Sequence, residues 1–457
     1  MSDAATRRAA LVVATLSSFL TPFMVSAVTI GLPAIGRTFG LDAVLLSWVG
    51  LSYSLAAAMF LLPFGRWADM YGRKRVFIAG AVLYSLASLL CGLANRAWAL
   101  IAFRVLQGVG GAMIFATGTA ILTSAFPAGE RGRVLGLNTA VTYVGLSAGP
   151  FLGGLLTQQL GWRSVFLAMV PLGLAVVVVA LWQLKAEWTG AKGERFDLVG
   201  ALVFGVSLAA LVTGFSRLPT AIGIWLVVAS LAGGVAFVAW EMRVTHPLLN
   251  MRLFLDSRVF AFSNLAAFVS YSATSATGFL LSLYLQYVKG FGPQASGLIL
   301  LAQPATQALF SPWAGRQSDR VEPRLLASAG MGVTVLGLGL LVALAQPTAL
   351  WFVVGCQLIL GFGFALFSSP NVNAIMGAVE PPFYGIASAT LATMRLTGQT
   401  LSMGIATLAL ALYLGQSRIV PATYSLFLSS ARVTFSVCAA LCLAGVFASA
   451  ARGKAHR

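Results

Sequence analysis

The chain has 457 residues, of which 59% are hydrophobic and only 9% are charged. About 25% of the residues in soluble domains are charged, so this composition excludes a soluble protein and indicates a polytopic membrane protein. The formal net charge of +17 does not predict a nucleic-acid partner, because the cations lie in short segments between apolar runs and are not interleaved with aromatic residues.

The first apolar run, residues 9–31, follows Arg7 and Arg8. It is longer than the apolar region of a signal peptide and has no small-residue cleavage site before the next run, so we expect an uncleaved first helix. A membrane helix needs about 20 apolar residues, and cutting the sequence at charged clusters and at Pro or Gly turns predicts fourteen spans. These spans cover residues 9–31, 44–64, 76–95, 98–122, 134–157, 164–184, 197–215, 222–241, 260–286, 294–314, 325–345, 350–376, 386–413 and 428–450.

The loop cations fall mainly on one face of this topology. That face holds Arg7, Arg8, Arg66, Arg73, Lys74, Arg75, Arg131, Arg133, Lys185, Lys192, Arg195, Arg243, Arg252, Arg258, Arg316, Arg320, Arg324, Arg452, Lys454 and Arg457. The other face holds only Arg37, Arg96, Arg163, Arg217, Lys289 and Arg418. By the positive-inside rule the first face is cytoplasmic. We therefore expect a multi-pass protein of the cytoplasmic (inner) membrane, with the lipid bilayer as partner and both termini in the cytoplasm.

A dense charged turn, residues 65–75, separates the second and third predicted spans. Its pattern Gly65-Arg66-x-x-Asp69 recurs as Gly315-Arg316-x-x-Asp319 after the tenth span. If spans one to six and nine to fourteen form two six-helix bundles, these turns occupy equivalent places, and parallel six-helix repeats are typical of transporters. The predicted division is an N-terminal bundle over 1–185, a linker with two additional helices over 186–258, and a C-terminal bundle over 259–457.

Three longer motifs resemble the major facilitator superfamily, and more narrowly its fourteen-helix drug:proton antiporter branch. Residues 65–75 resemble the loop signature between helices two and three, residues 104–111 (RVLQGVGG) the helix-four signature, and residues 145–154 the helix-five signature associated with antiporters. Shorter matches are Trp48, Tyr53, Gly161-Trp162-Arg163, Pro171-Leu172-Gly173, residues 196–200 (FDLVG), Tyr284-Leu285-Gln286 and Arg395-Leu396-Thr397-Gly398. The resemblance implies an all-α major-facilitator fold of two six-helix bundles plus two inserted helices, working as an antiporter by alternating access.

The chain departs from that branch in helix one, where Met24 stands at the position of the usual Asp, and again at Met169, where relatives have Asn. No acid lies in the middle of a predicted span. The acids are Asp3, Asp42, Asp69, Glu130, Glu187, Glu194, Asp197, Glu241, Asp256, Asp319, Glu322 and Glu380. Proton coupling therefore uses peripheral acids such as Asp42, Asp69 or Glu130, or the coupling differs, or the substrate itself carries the proton or the negative charge.

In the family that the chain resembles, the loop after helix two acts as a conformational latch. The resemblance assigns a latch or coupling role to Gly65, Arg66, Asp69, Gly72, Arg73, Lys74, Asp319 and Arg320. The sequence leaves open a second interpretation, in which these charges are only topology determinants solvated at the membrane surface.

Two arginines, Arg104 and Arg395, fall clearly within predicted spans, where a charge costs roughly 2.5–3.5 kcal/mol on insertion scales. Helical spacing puts Gln107 on the face of Arg104 and Gln399 on the face of Arg395, so each arginine is a candidate proton or anion contact. The alternative is a structural arginine that bonds between helices or snorkels. Without an interior carboxylate, an anionic or neutral amphipathic substrate is favoured over a lipophilic cation.

The helix-five motif spaces small residues four apart, which lets helices approach closely. Its members are Gly145, Gly149, Pro150, Gly153 and Gly154. Polar stripes at helical spacing predict a cavity lining, with bonding between helices as the alternative. The candidates are Ser26, Thr29, Asn138, Thr142, Asn264, Tyr271, Ser275, Gln303, Gln307, Gln357, Phe364, Ser368 and Asn371.

The sequence shows no catalytic constellation, no phosphate-binding loop and no metal-ligand spacing, so we expect no enzyme, no cofactor and no ATP-driven pump. The leading interpretation is a monomeric secondary transporter that exports small amphipathic molecules, as in multidrug resistance, by proton antiport. The alternative is a dedicated transporter of an anionic metabolite or natural product that uses the interior arginines. A third interpretation is a non-transporting membrane scaffold or lipid-handling protein.

Overall fold

The fold is all-helical throughout the part of the chain that the structure describes. The structure is a computed structural model, and it describes residues 3–184, 186–191, 193–318, 320–380 and 383–452, without the side chains of residues 3–5, 128, 129 and 131–133. Among these residues 13 helices are long and apolar enough to cross a membrane. The predicted all-α polytopic class is confirmed.

The tenth predicted span, residues 294–314, forms two helices instead of one. The first, α13 (Pro293–Leu300), and the second, α14 (Ala302–Ser318), meet at Leu301. Pro304 explains the break, because it has no N–H to donate to the carbonyl of Leu300 four residues earlier. Neither piece reaches the length of the other membrane helices, and this accounts for 13 long helices where the sequence predicts fourteen spans.

The remaining helices follow the predicted spans, although the sixth and ninth spans are each divided into shorter helices that continue one another. The first half contains α1 (Asp3–Phe39), α2 (Ala43–Tyr71), α3 (Arg73–Leu93), α4 (Ala97–Ala125), α5 (Ala128–Leu160), α6 (Arg163–Leu167) and α7 (Met169–Gln183). An extra pair follows, α8 (Leu198–Arg217) and α9 (Ala221–Glu241). The short α10 (Met251–Asp256) leads to α11 (Arg258–Thr274), α12 (Ala276–Leu283), α15 (Pro323–Leu341), α16 (Leu350–Gly377), α17 (Tyr384–Tyr413) and α18 (Tyr424–Ala451).

Packing groups these helices by chain order. Helix α1 packs on α5, α2 on α4, and α3 on α4 and α7, whereas α15 packs on α16 and α18, and α11 on α17 and α18. Helices α8 and α9 pack on each other, and α8 also contacts α2 and α17. We call α1–α7 the first half and α11–α18 the second half. The domain boundaries 1–185, 186–258 and 259–457 stay a prediction.

The helix ends form two faces. The basic face holds the α2–α3 turn at Gly72, the start of α1 and the end of α18. Arg7 on α1 pairs with Glu130 at the α4–α5 turn, at 3.6 Å, and Arg324 on α15 donates to the carbonyl of Ala450 at 3.5 Å. The opposite face holds the ends of α1 and α5 and the loop between α12 and α13.

Candidate functional site

A cavity of about 200 Å³ lies between the two halves. Its walls come from α1, α2, α4 and α5 on one side and from α11, α12, α13, α14, α16 and α17 on the other. Its wall includes many of the side chains that the sequence singles out. These are Ser26, Thr29, Arg104, Tyr271, Ser275, Gln303, Gln307, Gln357, Phe364, Arg395 and Gln399.

Three other predicted lining residues bond within the helix packing instead. Asn138 accepts a hydrogen bond from the hydroxyl of Ser18 at 2.8 Å, Thr142 donates to the carbonyl of Asn138 at 3.1 Å, and Asn264 donates to the carbonyl of Phe260 at 2.9 Å. Helical spacing predicts which face of a helix each residue lies on, but not whether that part of the helix is level with the cavity. The alternative of bonding between helices therefore describes Asn138, whereas Thr142 and Asn264 bond to the backbone of their own helices.

Asn371 also lies away from the cavity, in a buried cluster at the end of α18. Arg452, which the sequence places in a solvated terminal segment, is only 1% exposed. Its guanidinium donates to Ser263 Oγ and to Asn371 Oδ1, both at 3.2 Å, and also to Ser449. Burial lowers the pKa of Arg452 to about 10, which leaves it charged at neutral pH. This arginine joins α11, α16 and α18 at the basic face.

Arg395 presents its charge to the cavity. Its guanidinium lies 5.2 Å from the centre of the Tyr271 ring, and that ring is packed edge-on against Phe364 at 5.3 Å. Within the described part of the chain, the Arg395 guanidinium has no hydrogen-bond or ion-pair partner. A cation held by an aromatic face alone keeps most of its hydrogen-bonding capacity for a ligand.

Arg104 is bound much more tightly than Arg395. It is 1% exposed, its Nε donates to the carbonyl of Val49 at 3.1 Å, and its Nη1 donates to Gln107. Gln107 in turn donates to Ser88 Oγ at 2.7 Å. Because this network joins α2, α3 and α4, Arg104 contributes an edge of the cavity wall while most of its side chain holds the first half together.

Hydrogen bonds between the halves close the cavity on the side of the opposite face. Ser282 Oγ donates to the carbonyl of Thr29 and Gln286 Nε2 to the carbonyl of Ile30, both at 2.9 Å. Tyr287 donates to the carbonyl of Pro33 at 3.2 Å. All three bonds reach main-chain oxygens of α1, so α12 and the π-helix that follows it (Tyr284–Val288) lie directly against the backbone of the first half.

The helix-five glycines explain how closely the helices approach. A Cβ on Gly145 would lie 2.6 Å from the carbonyl oxygen of Phe19, one on Gly149 would overlap Ser26, and one on Gly153 would lie 2.6 Å from Ala27 Cα. These three glycines therefore face α1 within the first half.

Gly154 faces the other way, across the boundary between the halves. A Cβ there would lie 2.6 Å from the carbonyl oxygen of Pro293 at the start of α13. Pro150 belongs to the same contact, because its carbonyl oxygen occupies the space that a side chain on Gly297 would need. The motif thus serves two interfaces, one fixed within a half and one between the halves.

On the basic side of the cavity a hydrogen bond joins α5 to α16 across the two halves. Tyr143 on α5 and Ser368 on α16 join their hydroxyl groups at 2.7 Å. Tyr143 is also part of the cavity wall. Ser368, predicted as a lining residue, thus lies at the cavity as the partner of Tyr143.

The α2–α3 turn is organised by Asp69 and Gly72. The Asp69 carboxylate accepts from Arg73 at 2.7 Å, and Arg73 continues to α4, where it donates to Ser124 and to the carbonyl of Ala120. Gly72 has a φ of 121°, which a residue with a side chain rarely adopts. These side-chain contacts tie α2, α3 and α4 together within the first half.

The linker between α7 and α8 lies against this turn, a contact that the motifs did not predict. Gly190 and Ala191 donate their main-chain N–H groups to the carbonyl of Asp69 at 2.9 and 3.0 Å, and Arg73 N–H donates to the carbonyl of Trp188 at 3.0 Å. We call these three bonds the linker clamp.

Acidic side chains of the same segment reinforce the clamp. Glu187 accepts from Lys74 N–H at 2.9 Å, and Glu194 pairs with Arg66. In the sequence, the only feature that indicates this contact is the opposite charge of the α2–α3 turn and of the linker between α7 and α8.

The second turn offers less detail, because Asp319 lies outside the described residues. Gly315 is close to α16, since a Cβ there would lie 3.3 Å from Ser369 Oγ. Arg320 N–H donates to the carbonyl of Gln317 at 3.0 Å. Ser318 Oγ accepts from Asn373 at 2.6 Å, which fixes the end of α14 to α16.

An all-helical membrane protein whose two halves enclose a central cavity has the architecture of a secondary transporter. The family model of the Major Facilitator Superfamily matches residues 14–253 and 264–455. The chain belongs to the Major Facilitator Superfamily. This membership indicates a multi-pass membrane transporter of small molecules rather than an enzyme.

Named relatives match most of the chain. Multidrug resistance protein Stp of Mycobacterium tuberculosis (strain CDC 1551 / Oshkosh) is 34% identical over 388 residues, 83% of this chain and 71% of that protein. The cephamycin export protein CmcT of Amycolatopsis lactamdurans is 33% identical over 417 residues, 88% of this chain and 85% of that protein. The riboflavin transporter RibZ of Clostridioides difficile (strain 630) is 28% identical over 390 residues, 84% of each chain.

Solved structures share the fold. A bacterial homolog of the human lysosomal transporter Spinster, in an inward-facing and unoccupied conformation, matches with a TM-score of 0.69 and 17% identity, over 98% of this chain and 97% of that chain. At this identity the likeness concerns the fold alone.

Proposed function

We propose that this protein exports small amphipathic molecules across the cytoplasmic membrane, by alternating access of the central cavity and in exchange for protons. The observation that carries the proposal is the cavity itself, which both halves line with aliphatic, aromatic and uncharged polar groups and with the two arginines Arg104 and Arg395. Such a mixed wall suits molecules with apolar and polar parts. The names of Stp and CmcT, a multidrug resistance protein and an export protein, support efflux.

The orientation that we propose puts the basic face in the cytoplasm, because loop cations accumulate there. Both termini then lie on the cytoplasmic side of the inner membrane. The hydrogen bonds from Ser282, Gln286 and Tyr287 close the outward side. An exporter takes up its substrate from the cytoplasm while this outward side is closed, after the Tyr143–Ser368 bond on the basic side has been released, and a monomer with two rocking halves suffices for it.

The α2–α3 turn acts in this proposal as a latch between states. Asp69 currently holds Arg73, and Arg73 reaches α4 in the same half. A latch that engages the second half must exchange these contacts during the transport cycle. Asp319, at the equivalent turn of the second half, is proposed for the matching role.

Proteoliposomes with an imposed pH gradient test the proposal. Lipophilic cations and organic anions are supplied in parallel, and substrate movement and internal pH are recorded together. Substrate-dependent proton movement in the direction opposite to the substrate is the expected result. Transport without any proton movement would overturn the coupling, and no flux of any amphipathic compound would overturn the export function.

A second candidate function is transport of an anionic metabolite or natural product. It is favoured by the free guanidinium of Arg395 and by the absence of Asp and Glu from the described residues of the cavity wall. Gln307 adds a buried Nε2 donor without a partner within the described residues. A carboxylate or phenolate could accept from both groups.

Substitution at Arg395 separates the two candidates. We expect Arg395→Ala to abolish anion flux and to spare neutral compounds, while Arg395→Lys retains part of the anion flux. Lys289→Gln, at the opposite face, is the control for a lost positive charge outside the cavity. Full anion transport by Arg395→Ala would remove this arginine from the binding site.

A further inference from the structure

Two buried carboxyl groups lie outside the cavity, where the extra helix pair meets the basic face. Asp197 is the N-cap of α8 and Glu241 is the last residue of α9. They are 8% and 2% exposed. Carboxylates buried this deeply normally have a cationic partner, yet within the described residues neither forms an ion pair. The sequence places Glu241 at the edge of a span and gives no sign of its burial.

Neutral donors account for three of the four carboxyl oxygens. Asp197 accepts from Gly200 N–H at 2.9 Å and from Trp240 Nε1 at 3.1 Å, the latter at both oxygens. Glu241 Oε2 accepts from Leu249 N–H at 2.9 Å. The fourth oxygen, Glu241 Oε1, is buried and receives no hydrogen bond from any donor among the described residues.

The unpaired oxygen is directed at the other carboxyl group. Glu241 Oε1 and Asp197 Oδ2 both border the space beside Gly200. Gly200 provides the room, because a Cβ there would come within 2.6 Å of Glu241 Oε1 and closer still to Asp197 Oδ2. An ionised carboxylate can only accept a hydrogen bond, so a bond between two carboxyl groups requires a proton on one of them.

We propose that Asp197 and Glu241 bind one proton between them and form a pH-responsive brace at the basic face. The proton resides between Glu241 Oε1 and Asp197 Oδ2, and one negative charge remains on the pair. Loss of this proton to water leaves two carboxylates in contact at a site of low dielectric, where they repel each other.

No cation among the described residues forms an ion pair with Asp197 or Glu241. His246, on the segment after α9, pairs instead with Glu194 at 2.8 Å, and Glu194 pairs with Arg66. The helices packed nearby contribute apolar side chains, namely Leu62 of α2, Phe237 of α9 and Met394 of α17.

The same apolar cluster connects the carboxyl pair to the packing between the two halves. Leu249, whose N–H is bonded to Glu241, packs with Leu62 and Phe237, and Met394 packs against them. Since Leu62 belongs to the first half and Met394 to the second, the segment around Leu249 bridges the halves. Repulsion that moves Glu241 away from Asp197 pulls on this bridge and loosens the basic side of the protein.

Infrared spectroscopy of the purified full-length protein in lipid tests the proton directly, without substrate or gradient. We expect a protonated carboxyl C=O band at neutral pH that disappears on titration to alkaline pH. Both Glu241→Gln and Asp197→Asn should remove it, because the proton belongs to the pair, and each substitution keeps the shape of the side chain. Glu380→Gln, an exposed acid at the same face, should leave the band intact. A neutral-pH spectrum without this band, or with a band that both variants retain, would overturn the proposal.

Thiol labelling measures the brace separately. Arg252→Cys places an exposed thiol on α10, beside the bridging segment, and the four native cysteines are buried. We expect its maleimide reaction rate to rise several-fold with pH relative to the same probe combined with Glu241→Gln, which mimics the protonated pair. An identical pH profile in both backgrounds would refute the link between the proton and the bridge, whatever the protein transports.

Discussion

Gly154→Ala should open the side of the protein that the structure shows closed. Gly154 lies on α5 against the start of α13, and an added Cβ would lie 2.6 Å from the carbonyl oxygen of Pro293 and 3.1 Å from Gln294 Cα. Both neighbours are main-chain atoms, so no side chain can rotate away. The two halves must separate at this point before the methyl group can fit.

The size of the effect follows from that geometry. A carbon and a carbonyl oxygen approach no closer than about 3.3 Å, so the α13 backbone must retreat by roughly 0.7 Å. Overpacking of this kind costs about 1–3 kcal/mol, and the cost applies only to the state in which α5 and α13 touch. An energy of about 1–3 kcal/mol shifts an equilibrium about 5–150-fold, here toward the state open at the opposite face.

Accessibility of Ser282→Cys measures the shift. Ser282 is fully buried between the halves in the closed state, so a membrane-impermeant maleimide added from that face reacts only when the halves part. We expect the labelling rate to rise at least about fivefold in the Gly154→Ala background. Gly136→Ala, on the same helix but with nothing within 4 Å of the added Cβ, is the control. Equal labelling rates in the two backgrounds would refute the reasoning.

Three further predictions concern the basic side. Asp69→Asn removes the charge that holds Arg73. We expect normal membrane insertion with strongly reduced transport. Unchanged flux at equal expression would refute the latch role. Tyr143→Phe deletes the hydrogen bond to Ser368, worth about 0.5–1.5 kcal/mol, and should speed opening of the basic side, measured by the exchange rate of bound substrate. Arg452→Met leaves buried acceptors unpaired at about 1–3 kcal/mol each, so the thermal unfolding midpoint in detergent should fall.

Matched variants serve as controls for these three predictions. Asp256→Asn changes an exposed acid at the end of α10 and should leave transport near normal. Ser368→Ala should reproduce Tyr143→Phe, and the double variant should add little, because both substitutions remove the same bond. Arg324→Met removes a more exposed cation next to Arg452, and a drop in unfolding midpoint as large as that of Arg452→Met would contradict the proposed role of burial.

The sequence predicted the helical class and the spans because those signals are local. Apolar length, loop charge and helix-breaking residues are each read within a few turns of chain, and the break at Leu301 follows from Pro304 by the same rule. The cavity was predicted in part, since Gln303, Gln307 and Arg395 share faces with other lining residues. Whether a residue lies level with the cavity depends on how neighbouring helices are offset along their axes, which helical spacing does not specify. Asn138 and Asn371 were predicted as lining residues for that reason.

Contacts between distant segments were harder to predict. Arg452 follows an apolar helix directly and has the sequence of an ordinary terminal cation, although it is buried by partners from α11 and α16. Likewise, the proximity of Asp197 and Glu241 depends on α8 packing against α9, and 43 residues separate Asp197 from Trp240, which donates to it. Such pairings are decided by tertiary packing, which the sequence pattern does not specify.

The linker clamp has a consequence for how this chain tolerates change. Its three hydrogen bonds join main-chain atoms of Trp188, Gly190 and Ala191 to main-chain atoms of Asp69 and Arg73. Main-chain bonds do not depend on which side chains the linker carries, but they require its residues to arrive in the correct register. Point substitutions at Trp188 or Ala191 are therefore compatible with the clamp. Deletion of one residue between them would misalign the three hydrogen bonds and detach the extra helix pair from the α2–α3 turn.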